Sequence, residues 1–189
     1  PEYEIYFGDL KSWLISLFDT KTLAQLQAQG QRDVVANLAQ CISEILTHQS
    51  QELKQYVDEW TKMLQYPLPD GNQPDPIIDR ELRLLALGQC GKYLNLSEYP
   101  ELSQASQFLQ NLDHPSDEIQ NAAAVAFGYA TAGAGAVYLK VLTDQLSEAS
   151  GTTQESRGQK KQRLLLTSLR EVLCLDKSMA DTADVYDEV

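Results

Sequence analysis

The chain has few of the residues that mark catalysis, metal binding or secretion. It has only three cysteines, Cys41, Cys90 and Cys174, spaced far apart and odd in number, with no CxxC pair. That pattern argues against a disulfide framework and for buried thiols in a reducing compartment. The two histidines, His48 and His114, have no histidine or cysteine three or four residues away, which argues against a metal centre. Proline is scarce outside one stretch: four of the seven fall in 67–76. No apolar run approaches the roughly 18 residues that would suggest a membrane span. No charged-then-apolar leader occupies the first 20 or so residues, so secretion is not expected. The chain starts at Pro1, without an initiator Met, and is expected to be a piece of a longer protein.

Positive charge is also in short supply. Fifteen Lys and Arg face 27 Asp and Glu, a formal net charge of −12. A duplex nucleic-acid ligand needs a basic stripe to displace counterions, and an anionic membrane surface needs the same. Both are therefore disfavoured, whereas a basic protein partner is compatible. The 176–189 segment carries Asp176, Asp181, Asp184, Asp187 and Glu188 against Lys177 and reads as an acidic, flexible tail.

What the chain does have is helical periodicity. Leu10, Trp13, Leu14 and Leu17 share one face of a helix over 9–19 that Asp9 can cap. Val34, Val35, Leu38, Cys41, Ile42 and Ile45 stripe a second helix over about 31–48. Leu53, Val57, Trp60 and Leu64 recur at three- and four-residue steps from Gln51 onward. PLPDGNQPDP (67–76) cannot be helix interior, because each proline removes a donor and clashes with the preceding turn. Asp79 then caps a helix carrying Leu82, Leu85, Ala86 and Leu87. Leu102, Ala105, Phe108, Leu109 and Leu112 line a helix from about 99, and Ser116 is the expected N-cap of the next. In that helix Ile119, Ala122, Ala123, Ala126 and Phe127 make a narrow face that lets neighbours approach. Gly133-Ala134-Gly135-Ala136 is expected to break the chain. Val137, Leu139, Val141, Leu142 and Leu146 follow in one helix. After a polar loop from Ser147 to Gly158, Leu164, Leu165, Leu166, Leu169, Val172 and Leu173 form the last. No strand is expected.

These helices pair, and blocks of similar design recur about every 36–48 residues: 79–98, 115–133 and 159–173. The period predicts an all-α chain built as a solenoid of about four stacked hairpins, at about 9–48, 51–97, 99–131 and 136–175, ahead of the 176–189 tail. Catalytic chemistry has no foothold here. The Gly-rich 133–136 lacks the GxGxxG and Lys-Ser/Thr features of a phosphate loop. Asp117 and Glu118 suit the first turn of a helix, and no serine, threonine or cysteine has a nearby base in a pattern that suggests a nucleophile. The expectation is a non-enzyme with no cofactor, metal or small-molecule substrate. Lys160, Lys161, Arg163 and Arg170 form the densest basic cluster and Arg80 with Arg83 a smaller one. Each suits either a groove for acidic partner surfaces or ladder pairs with carboxylates of adjacent repeats.

The repeat type resembles HEAT repeats, with an acidic residue ahead of a basic one at the start of the second helix of each pair. DRELRLLALGQCG carries Asp79 and Arg83 in that order, while PSDEIQNAAAVAFG has Gln120 where Lys or Arg is usual. The ordered series LLALGQCGKYLNLSE, HPSDEIQNAAAVAFGYATAG, YLKVL and RLLLTSLREVL resembles the C-terminal half of the cullin-associated, neddylation-dissociated proteins. VVANLAQCISEIL (34–46) resembles their preceding repeat. The resemblance covers about 31–175, and the 67–76 and 147–162 loops are long for the family. It implies a HEAT superhelix, cytoplasmic and nuclear, that wraps unmodified cullin–RING ubiquitin ligases. Such proteins block attachment of the ubiquitin-like modifier and promote exchange of substrate receptors. A HEAT segment of another large adaptor, such as a nuclear-transport receptor or a phosphatase scaffold, is the alternative. In the family the second helix of each pair lines the concave, partner-facing side. Helix phase then nominates Asp33, Asn37, Gln40, Glu44, Arg80, Arg83, Asp117, Asn121, Lys160, Arg163 and Arg170 as partner contacts.

Overall fold

Residues 25, 32–47, 50–64, 77–151 and 156–175 are described by the structure, a computed structural model. The helix expected over 9–19, the 67–76 stretch and the 176–189 tail lie outside the described residues. Those described form seven α-helices and no strand: α1 (Arg32–Thr47), α2 (Ser50–Met63), α3 (Ile77–Gly91), α4 (Ser106–Leu112), α5 (Asp117–Ala134), α6 (Ala136–Gly151) and α7 (Ser156–Leu175). The odd-numbered helices pack in succession, α1 on α3, α3 on α5 and α5 on α7. The even-numbered ones lean on that row: α2 on α1 and α3, α4 on α5, and α6 on α5 and α7.

Small side chains set the spacing of the row. Ala122, Ala123, Ala126 and Ala130 are buried along α5, and Gly88 of α3 faces Ala126 so closely that a Cβ on it would lie 2.5 Å from the Ala126 Cα. On the other side of α5, a Cβ on Gly128 would lie 2.5 Å from the Ser168 carbonyl oxygen of α7. Ser168 Oγ also donates to the Ala124 carbonyl at 2.7 Å, tying the two backbones together. The large side chains fill the space between the row and the even-numbered helices. Phe108 of α4, Phe127 of α5 and Tyr138 of α6 are fully buried. Their ring centroids lie 5.9 to 6.4 Å apart, one pair stacked and two edge-on, the offset geometries that aromatic quadrupoles favour. The Tyr138 hydroxyl donates to the Leu102 carbonyl in this core, and burial raises its pKa.

Arg80 joins three helices. It is 3% exposed and donates to the Leu64 carbonyl at the end of α2 and to Asn111 Oδ1 of α4, at 3.1 and 2.9 Å. Asn111 Nδ2 donates to the same Leu64 carbonyl at 3.0 Å. A buried guanidinium needs such partners, because an unsolvated charge is costly.

Several local expectations change. Asp79 does not cap α3: the helix already runs from Ile77, and Asp79 sits in its first turn, ion-paired with Arg83 at 2.8 Å. After a 3₁₀ turn at Leu96–Glu98, the helix expected from about 99 is split into a second 3₁₀ turn, Pro100–Leu102, and the seven-residue α4. Pro100 opens the second turn and holds Tyr99 extended, at φ −85° and ψ 124°. Ala105 then adopts φ 54° immediately before α4. Ser116 does cap α5, its Oγ accepting from the Ile119 N–H. The break at 133–136 narrows to a single residue: Gly133 and Ala134 finish α5, and Gly135 alone turns the chain at φ 57°, where L side chains are strained. That turn sets the phase of α6, burying Tyr138, Leu142, Leu146 and Ala149 and leaving Val137 49% exposed. α6 also runs on to Gly151, through residues expected to be loop. Val34, Cys41 and Leu166 lie on exposed sides of their helices rather than in the core.

Candidate protein-binding face

Three helices of the row, α1, α5 and α7, carry exposed residues along one side, whereas every residue of α3 is buried or half-buried. On α1 the exposed line is Asn37, Gln40 and Cys41, with Glu44 half-buried. On α5 it is Asp117 and Asn121, continued by the partly buried Val125 and Tyr129. On α7 it is Lys160, Arg163, Arg170 and Cys174. Side chains bridge from helix to helix along this side. Tyr93, in the turn after α3, donates its hydroxyl to Glu44 Oε1 of α1 at 2.7 Å. Its neighbour Lys92 places Nζ 3.9 Å from the centroid of the Tyr129 ring of α5, within cation–π range. At the other end of α5, Asp117 Oδ1 accepts from Lys160 Nζ of α7 at 2.6 Å.

Electrostatics link the same residues. Partial burial lowers the Lys92 ammonium below its usual range, while Glu44 and Glu171 pull it back up. Burial first, and then Glu171, raises the Tyr129 hydroxyl. The hydrogen bond to Glu44 raises that of Tyr93. Helices α1, α5 and α7 and the turn after α3 therefore contribute to one connected polar and aromatic line.

Asn37, Gln40, Asp117, Asn121, Lys160, Arg163 and Arg170 are exposed here, and Glu44 partly so. Arg83 is held by Asp79 and Arg170 by its neighbour Glu171. Arg80, expected among the partner contacts, is not exposed: it is buried among α2, α3 and α4, where it donates to the Leu64 carbonyl and Asn111. The Asp33 side chain lies outside the described ones. Lys92, Tyr93 and Tyr129 are additions to the set. Their signal in the sequence was aromatic residues just off the apolar stripe, with tyrosine a type enriched at interfaces.

Among the described residues no three of His, Cys, Asp and Glu come together to hold a metal ion. Cys90 is buried, and burial pushes its thiol up to about 12, which removes it as a nucleophile. His114 is buried as a structural acceptor, its Nδ1 taking the Ser116 N–H at 3.0 Å. An open groove of about 800 Å³ lies between α4 and α6, bordered by Leu109, Val137, Val141, Lys140 and Asp144. Its one ion pair, Lys140 with Asp144, is an ordinary i,i+4 surface contact. Among the described residues no helix is long and apolar enough to cross a membrane.

The described residues thus form packed helices without strands and present a bridged polar face. No family model matches the chain, and no match is found among curated proteins or solved structures.

Proposed function

We propose that this chain is a protein-binding scaffold segment of a HEAT-type superhelix, and that its partner is an unmodified cullin–RING ubiquitin ligase. In that role it occupies cullin surface, hinders attachment of the ubiquitin-like modifier and promotes exchange of substrate receptors. The resemblance of the ordered helix motifs suggests the partner. One structural observation carries the binding role: helices α1, α3, α5 and α7 pack one on the next. Beside them lie Tyr93, Tyr129 and Arg170, residue types enriched in protein interfaces. A scaffold of this kind gains affinity from many modest contacts, so a single segment binds more weakly than a long array.

The test immobilises the chain and measures association with a cullin–RING complex before and after conjugation of the ubiquitin-like modifier. Binding to the unmodified form, at least tenfold weaker once modified, supports the proposal. Absence of binding to both rejects the cullin partner and redirects the search to transport-receptor and phosphatase partners.

A further inference from the structure

Helix α7 is charged unlike the rest of this acidic chain. It carries Arg157, Lys160, Lys161, Arg163 and Arg170 against the single carboxylate of Glu171, a third of the fifteen cations in a protein of net charge −12. Two of them are engaged at the surface, Lys160 by Asp117 and Arg170 by Glu171, yet their side chains remain 50% and 66% exposed. The Lys161 ammonium and the Arg163 guanidinium make no ion pair among the described residues. Leu166, 38% exposed, lies three residues after Arg163 and four before Arg170, on the same side of the helix.

We propose that the Arg163–Leu166–Arg170 stripe is a docking site for an acidic amphipathic helix of a partner protein. The spacing specifies the ligand. Seven residues of helix rise about 10 Å, so a second helix laid along α7 meets both guanidinium groups when its own carboxylates are seven residues apart. An apolar side chain midway between them covers Leu166. Arginine suits carboxylates because its planar fork can pair with them through two hydrogen bonds. Nucleic acid is the poorer fit, since one cationic helix on an acidic chain offers few phosphate contacts and repels a polyanion elsewhere. The inference rests on the open side of the row being the binding side and not on the partner being a cullin.

The test uses the full chain and a fluorescein-labelled helical peptide with a Glu-Ala-Ala-Leu-Ala-Ala-Ala-Glu core, followed by fluorescence anisotropy. The expected result is salt-sensitive binding that weakens at least tenfold in the Arg163→Gln/Arg170→Gln double variant and at least threefold in Leu166→Gln. Binding should vanish when both glutamates of the peptide become glutamine. All three substituted side chains are exposed, so thermal melts of the variants should match the parent. Equal affinity for the double variant overturns the proposal, as does competition by a duplex oligonucleotide at a lower concentration than unlabelled peptide. So does binding that emerges only after Asp181, Asp184, Asp187 and Glu188 are changed to amides, which would assign the stripe to the chain's own acidic segment. Because no cullin is in the assay, failure here is distinct from failure of the cullin partner.

Discussion

Replacing Gly128 with alanine should destabilise the protein, although alanine is the better helix former. In an unconstrained helix interior the exchange stabilises by about 1 kcal/mol. Here the new Cβ would lie 2.5 Å from the Ser168 carbonyl oxygen and 2.6 Å from Glu171 Cβ. Comfortable carbon contacts need about 3.5–4 Å, so α7 must retreat from α5 by roughly 1 Å. The obstacle at Ser168 is backbone and cannot rotate aside. Overpacking of this kind costs about 1–3 kcal/mol. The retreat also stretches the 2.7 Å bond from Ser168 Oγ to the Ala124 carbonyl, worth about 1 kcal/mol. After the helix gain is set against these costs, the net loss is about 1–3 kcal/mol. At roughly 2–4 °C per kcal/mol for a chain of this size, Tm should fall by about 2–12 °C. Thermal unfolding followed by far-ultraviolet circular dichroism reads this directly. An unchanged or higher Tm would mean that α5 and α7 do not approach this closely and would refute the packing of the row. Gly133→Ala should cost more, since its Cβ would fall 1.7 Å from the Gly91 carbonyl oxygen.

Two further predictions concern buried polar groups. Asn111→Ala removes an acceptor from buried Arg80 and a donor from the Leu64 carbonyl; by the usual worth of bonds to charged groups it should cost about 2–3 kcal/mol in urea unfolding, and a loss below about 0.5 kcal/mol would show that Arg80 is not held there. Cys90 should make stability fall at alkaline pH. Burial raises its thiol from 9.0 to about 12 in the folded chain, so the unfolded state gives up a proton that the native state keeps. Its contribution is complete below pH 9 and is lost as pH climbs from 9 towards 12, by about 1.4 kcal/mol per pH unit. Chemical denaturation at pH 8 and pH 10 should show this slope in the wild type and a shallower one in Cys90→Ala; equal slopes would place the thiol in solvent.

Helix identity was legible wherever apolar residues recur at three- and four-residue steps, as in α3, α5 and α7, and the small-residue face of α5 was read for its packing role. Boundaries and phase were less legible, because single residues set them through backbone geometry. Pro100 and Ala105 split what periodicity reads as one helix. Gly135 alone ends α5, and thereby rotates α6 so that Tyr138 rather than Val137 enters the core. The exposed sides of α1, α5 and α7 were readable as helix phase. Arg80 was not, because its burial depends on Leu64 and Asn111, sixteen and thirty-one residues away. Lys92 and Tyr93 were missed for a related reason: their partners Tyr129 and Glu44 belong to neighbouring helices.

The most direct test of the account compares two surface variants in binding to the unmodified cullin–RING complex. One reverses the open side of the row, Asn121→Glu with Arg163→Glu; the other alters the α4–α6 side, Val137→Glu with Gln145→Lys. All four positions are at least partly solvent-accessible, so neither variant should unfold. The account predicts at least a tenfold loss of affinity for the first and less than a twofold change for the second. Retained binding in the first with loss in the second would contradict the assignment of the binding face.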